Sequence, residues 1–283
     1  MVIDFHTHIF PEALAASTIN KLSEVSHLQP HTNGTAEGLL TSMKRVGVDC
    51  SIVLPVATNP LQVQKINDAA QSLNALHGAE GLHSFGCMHP DYASPKEEMQ
   101  RIVQLGLKGI KLHPVYQRVD LDDPRYLRIL ELAGESGLIV VTHGGIDIGY
   151  PEPQHAAPDK LLRAMRQVGP VKLIAAHMGG WKQWDEAEAL ADTSVCLDTS
   201  FATGFITAKD DGHYRPEELK LLDQTQFMRM VRIFGAGRIL FGTDSPWTDQ
   251  EESIRLIKDL PLTAEEQTAI LGGNAEKLLE QMS

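Results

Sequence analysis

Near the start of the chain, in the stretch VIDFHTHIF, His6 and His8 stand two residues apart. On an extended strand such residues share a face, with Cα atoms roughly 6.6 Å apart at about 3.3 Å per residue, so both imidazoles can reach one ion at about 2.0 to 2.1 Å. The pair alone establishes no metal, because a chain with 12 histidines produces close pairs by chance. What decides is the company the pair keeps. The stretches GIKLHP, VVTHGG, IAAHMGG and LFGTDSPW place His113, His143, His177 and Asp244 at the ends of apolar runs, just before glycine or proline breaks. A surface histidine has no reason to prefer that place. Imidazole nitrogens with one carboxylate suit Zn²⁺, with Mn²⁺ as the next choice, better than Mg²⁺ or Ca²⁺, which favour oxygen ligands.

These residues need elements to bring them together. Short β-branched runs at 2–8, 50–56, 83–88, 109–113, 138–143, 172–177, 195–199 and 239–244 read as eight strands. Helical periodicity fills the gaps, at 36–46, 61–76, 96–105, 125–136, 159–168, 184–191, 217–234 and 251–258. Strands alternating with helices imply a parallel sheet, because parallel neighbours need a crossover. Eight such units in 283 residues predict an α/β fold of the (β/α)8 TIM-barrel type, expected as one domain over 1–283 with a C-terminal helical extension. The strand ends of such a barrel open onto one face, so scattered strand-end residues converge there. In the first strand, alternation predicts Asp4, His6 and His8 on the interior face and Phe5 and Thr7 toward the helices. The segments 11–35 and 202–216 exceed ordinary loop lengths and are expected as lids over the site.

Composition narrows the partners. A net charge of −12 argues against attraction to nucleic acid or an anionic membrane, which leaves a small molecule as substrate. A homo-oligomer is compatible with the sequence. Three widely spaced cysteines read as reduced core residues, and the N-terminus carries no signal-peptide pattern, so a cytoplasmic location is expected.

The ordered set DFHTH, VTHGG, AAHMGG and LFGTDSPW, ending in the tail ILGGNAEKLL, resembles the amidohydrolase superfamily. The resemblance is to the amidohydrolase-2 branch that includes aminocarboxymuconate semialdehyde decarboxylase. It implies that His6, His8, His143 and Asp244 hold one metal ion while His177 stands beside it as a catalytic side chain. Binuclear branches of the superfamily use a carboxylated lysine on the fourth strand, where this chain has Lys111, but the surroundings match the mononuclear branch better. Lys111, His113 and Trp247 are candidate substrate contacts.

Two chemistries follow. A bound divalent ion lowers the pKa of water from about 15.7 toward about 7, and Asp244 as general base with His177 polarising a carbonyl would then hydrolyse an amide, lactone or ester. This is the leading expectation, because the compact chain and the GIKLHP strand look less like the aminocarboxymuconate enzyme itself. The alternative is non-oxidative decarboxylation of a small unsaturated or aromatic acid, which needs a cationic clamp such as Lys111, Arg118 or Arg215. A third reading is a metal-binding barrel without catalysis.

Overall fold

The computed structural model describes residues 1–281. Its strands are β1 (Ile3–Thr7), β2 (Cys50–Val53), β3 (Leu82–Ser84), β4 (Gly86–Cys87), β5 (Gly109–Leu112), β6 (Ile139–Thr142), β7 (Lys172–Ala175), β8 (Cys196–Asp198) and β9 (Ile239–Leu240). All paired neighbours are parallel, in the order β1-β2-β3 and β4 through β9. β3 and β4 are two halves of one barrel strand, interrupted at Phe85, whose amide still donates to Val53 O. Closure comes from the residues after β9: Phe5 N donates to Phe241 O, Asp244 N to His6 O and His8 N to Ser245 O. The result is the TIM barrel that the alternating pattern predicts.

The helices are α1 (Glu12–Ser26), α2 (Ala36–Val46), α3 (Val63–His77), α4 (Pro95–Gln104), α5 (Pro114–Gln117), α6 (Pro124–Glu135), α7 (Pro158–Met165), α8 (Trp184–Ala187), α9 (Gln224–Phe234), α10 (Gln250–Lys258), α11 (Ala264–Thr268) and α12 (Asn274–Glu280). Local chemistry sets their ends. Thr35 caps α2 by accepting from Gly38 N, and Asp123 caps α6 ahead of Pro124. The helix expected over 217–234 is shorter: a capping box between Asp223 and Gln226 starts α9 only at Gln224, and 217–223 is irregular. Segment 11–35 is not only a loop, since it contains the 15-residue α1.

Two apolar layers divide along the strands. Ile110, Leu112, Val140 and Leu173 pack with helix residues such as Leu39, Met43 and Ile129. Ile3, Phe5, Ile52, Phe85, Val141 and Ile174 belong to a second cluster whose helix residues, Ala275, Leu278 and Leu279, all come from α12 among the described residues, and this is the barrel interior, closed at one end by that helix. Phe5 therefore points inward, against the alternation expected from the sequence. The cause is a register shift between Asp4 and Thr7, where β1 pairs Asp4 with Ser51 but Thr7 with Val53. Such a bulge re-aims one side chain. It lets Phe5 fill the barrel while His6, the next residue, still reaches its mouth.

Candidate metal centre

The strands deliver their terminal residues to one end of the barrel. His6 Nε2 lies 3.2 Å from His8 Nε2 and 3.4 Å from Asp244 Oδ1, and His8 Nε2 lies 3.0 Å from the same oxygen. Each imidazole is oriented from behind. His6 Nδ1 donates to Asp198 Oδ2 at 2.8 Å, and His8 Nδ1 to the Leu54 carbonyl at 2.9 Å. With the proton committed to Nδ1 on both rings, two Nε2 lone pairs and a carboxylate oxygen face one another. Acceptors crowded in this way repel unless positive charge stands among them; Lys111 Nζ approaches His6 Nε2 from one side, and the two imidazoles with the carboxylate are a donor set that fits a divalent ion. Burial and the neighbouring Lys111 push the His6 pKa down to about 3, which keeps this ring neutral and ready as a ligand.

Two close approaches allow the geometry. Gly242 passes so near β1 that a Cβ there would sit 2.9 Å from the His6 Cβ. Asp244 itself takes φ 66° and His177 φ 58°, left-handed turns that lift the chain out of the sheet immediately at the site.

His143 and His177 form a second pair, with Nδ1 of the first 3.1 Å from Nε2 of the second. The His177 Nδ1 donates to the Ser200 carbonyl at 3.0 Å. The His143 Nε2 is buried and has no hydrogen-bond partner. Of the four ligands that the family resemblance implies, three cluster tightly, whereas His143 faces His177 and stacks on His113 at 4.4 Å. The His177 ring lies 5.2 Å from that of His6, so the two pairs are adjacent.

Lys111 Nζ sits 3.2 Å from His6 Nε2, fully buried, and burial lowers its pKa to about 8. Arg118 and Arg215 are exposed, and Arg215 pairs with Glu217 and Glu218 instead of any pocket group. Asp4 does not support the histidine side chains. It faces outward, accepting from Thr243 N, Thr243 Oγ and Gln250 Nε2, and burial raises its pKa to about 6.

The supporting carboxylate is Asp198, at the end of β8. It receives His6 Nδ1 on Oδ2, and on Oδ1 the His177 amide, the Ser200 amide and the Ser200 hydroxyl. Burial works against its charge, but these donors outweigh it and hold the carboxyl well below the usual carboxylate range. Asp198 was legible in principle, because CLDTS also ends an apolar run on a polar residue. Asp147 is a second residue the strand-end pattern does not reach, since it lies in the loop after β6. Its Oδ1 accepts from Gly149 N and Tyr150 N, its Oδ2 is 3.7 Å from His113 Nε2, and burial raises its pKa to about 6.

These groups open into a cavity of about 340 Å³. His113 and Trp247 line it together with Lys111, and its walls are mostly apolar: Phe10, Leu22, Val25, Leu54, Ile146 and Ile148 among them. Helix α1 forms part of the roof through Thr18, Leu22 and Val25. The segment after β8 holds that roof down. Lys209 N donates to His27 O, Tyr214 Oη to Ser26 O at 2.7 Å, and the His213 ring stacks on His27 at 3.6 Å.

A TIM barrel with a histidine-carboxylate cluster at its strand ends defines a class of metal-dependent enzymes. Residues 3–281 match the sequence profile of the amidohydrolase family designated Amidohydro_2, and the chain belongs to that family. No curated protein matches the chain by sequence. Among solved structures, 5-carboxyvanillate decarboxylase from Sphingomonas paucimobilis superposes with a TM-score of 0.71 at 15% identity, over 99% of this chain and 98% of that one. A dihydroxybenzoic acid decarboxylase from Polaromonas sp. JS666, with bound manganese and the inhibitor 2-nitroresorcinol, gives 0.69 at 15% identity over 100% and 97%. A protein described as a probable 2-pyrone-4,6-dicarboxylic acid hydrolase from Acinetobacter baumannii gives 0.66 at 15% identity over 99% of each chain. At this identity the likeness carries the fold. No helix among the described residues is long and apolar enough to cross a membrane.

Proposed function

We propose that the chain is a metal-dependent carboxy-lyase that releases CO₂, without oxidation, from a small aromatic or unsaturated acid. This replaces hydrolysis as the leading reading. The observation that carries it is Lys111: a buried ammonium beside the ligand cluster, with no carboxylate paired to it, at the polar end of an apolar cavity. Lys111 meets only the His6 ring directly and feels Asp198 and Asp244 from further off, and a substrate carboxylate would give this buried cation a direct ion-pair partner. A neutral amide or ester would not, whereas a lactone that bears its own carboxylate would, and the product released, CO₂ or a proton, separates that case. The decarboxylases among the structural neighbours, one holding manganese, support the same reading.

His6, His8 and Asp244 would hold the ion, with His143 beside His177 able to add a nitrogen donor. Bound there, Zn²⁺ or Mn²⁺ would supply positive charge against which a substrate oxygen is held. The chain's own groups do the rest. Lys111 fixes the carboxylate, and the apolar walls keep water from it. The carbon that loses CO₂ must gain a proton, and Asp244 and His177 are the groups beside the cluster able to carry one.

The test is a Lys111→Met variant assayed with the wild type, each stripped by chelator and reloaded with Mn²⁺ or Zn²⁺. Metal-dependent CO₂ release from aromatic or unsaturated acids is expected in the wild type, falling at least about 10²-fold in the variant while the metal content is kept. Metal-dependent proton release from lactones or esters that survives the substitution would restore the hydrolase reading. No turnover on either panel would leave the non-catalytic metal-binding barrel.

A further inference from the structure

The cavity has a second polar group beside the His6, His8 and Asp244 cluster, where His113 stacks on the His143 ring. There a ring nitrogen of His113, one of His143 and an oxygen of Asp147 lie within 4.8 Å of one another, all buried. The geometry argues against an ion at this spot. The His113 and His143 rings are stacked at 4.4 Å with planes only 17° apart, so their in-plane lone pairs run side by side and do not converge. His113 Nδ1 is also already used, accepting the Tyr116 amide.

That same bond fixes the tautomer. With Nδ1 as acceptor, the neutral His113 ring carries its proton on Nε2, which faces Asp147 Oδ2 at 3.7 Å. This is beyond hydrogen-bond reach. Asp147 is turned by its other oxygen, on which Gly149 N and Tyr150 N converge, and Oδ2 has no hydrogen-bond partner among the described residues. A donor and an acceptor therefore stand side by side on the cavity wall, 3.7 Å apart and bonded neither to each other nor to another described residue. One chemical group answers both at once: a hydroxyl, which accepts from Nε2–H and donates to Oδ2. A cationic amine would meet the imidazole N–H with no lone pair, and an ether oxygen would leave Asp147 unpaired.

We propose that His113 and Asp147 form a hydroxyl-recognition subsite, so that the substrate is an acid bearing a hydroxyl group in addition to the carboxylate held at Lys111. The acid part of this inference rests on the carboxy-lyase reading; the hydroxyl part stands on the pair alone. It assigns Asp147 a role in specificity.

Asp147→Asn isolates the feature. The side-chain carbonyl can still accept from the Gly149 and Tyr150 amides, so the loop keeps its anchor, while the free acceptor becomes a donor. Isothermal titration of Mn²⁺-loaded protein would use benzoate, 3-hydroxybenzoate, 4-hydroxybenzoate and phenol as probes, with thermal melts confirming that the variant folds. The better hydroxybenzoate isomer is expected to bind the wild type about 10²-fold tighter than benzoate, because a site built around a hydroxyl leaves its own groups unpaired when the hydroxyl is missing. In the variant that ratio should shrink to about threefold or less. A ratio near one in the wild type, or one that the substitution leaves intact, overturns the proposal. Phenol binding that depends on Asp147, in protein to which benzoate does not bind, would keep the hydroxyl subsite and remove the carboxy-lyase reading. Benzoate binding that needs Lys111 but shows no hydroxyl preference would do the reverse.

Discussion

At the scale of single residues, the centre depends on where protons are held. His6 can present a lone pair from Nε2 only because Asp198 takes the proton on Nδ1, and Asp198 can do so because its other oxygen is saturated by three donors from His177 and Ser200. Asp198→Asn keeps the shape but turns one oxygen into an amide that cannot accept the imidazole proton, which favours the wrong tautomer. Metal affinity is expected to fall about 10- to 100-fold, read by titrating Mn²⁺ into chelator-treated protein, while the thermal melt of the metal-free protein moves little. Unchanged affinity would mean that His6 is oriented by packing alone. The histidines themselves were legible because strand-end position is a sequence property. Asp198 shares that position, yet an aspartate before Thr199 and Ser200 also reads as an ordinary turn residue. Asp147 carries no local signal, since its partner His113 is brought to it only by the adjacency of β5 and β6.

At the scale of elements, the alternation of strand and helix was readable almost throughout, because the apolar period changes from two to 3.6 at each junction. Two features escaped it for physical reasons. The bulge in β1 is set by how that strand registers against β2, a tertiary property, so Phe5 was expected on the wrong face. Helix α1 has a weakly apolar surface facing a cavity instead of a core, which blurs its periodicity. The turn after β6 offers a test at this scale. Gly145 has φ +83°, and a Cβ there would lie 2.2 Å from Trp181 N and 2.6 Å from Trp181 O. Both atoms are backbone in the loop after β7 and cannot rotate away. Gly145→Ala should therefore destabilise the protein by at least about 2 kcal/mol and displace His143, two residues before it. Gly169→Ala, at a glycine with no atom near its would-be Cβ and ordinary φ, should change stability by less than about 1 kcal/mol in either direction. Equal urea midpoints for the two variants would show that the strand-end loops yield more easily than the contacts indicate.

For the whole molecule, gathering this many titratable groups in one barrel mouth has a cost that varies with pH. His6, His113, His143 and His177 are all buried, and burial is the main reason each pKa lies below the ordinary histidine value. Below about pH 6.5 the unfolded chain protonates these four rings while the folded chain does not, so acidification favours unfolding. Asp4 and Asp147 act in the opposite sense. Burial raises both to about 6, so between about pH 6 and 4 the folded chain holds protons that the unfolded one has released. His31, His83 and His89, lowered by their own burial, act with the four buried rings, so the histidines outnumber the two carboxyls and the net effect of acidification is a loss of stability. Lys111, lowered to about 8, contributes nothing below neutrality. In metal-free protein, where ligand competition cannot contribute, the urea midpoint should fall slightly from pH 8 to 7, where Lys111 and the first histidine protons act, and more steeply from there to pH 5. With Mn²⁺ bound the fall should be steeper, because the same protons also compete with the ion for His6 and His8. A metal-free midpoint that stays level from pH 7 to 5 would mean the histidines take up protons inside the fold, and a neutral donor set could not then be assigned to the metal centre.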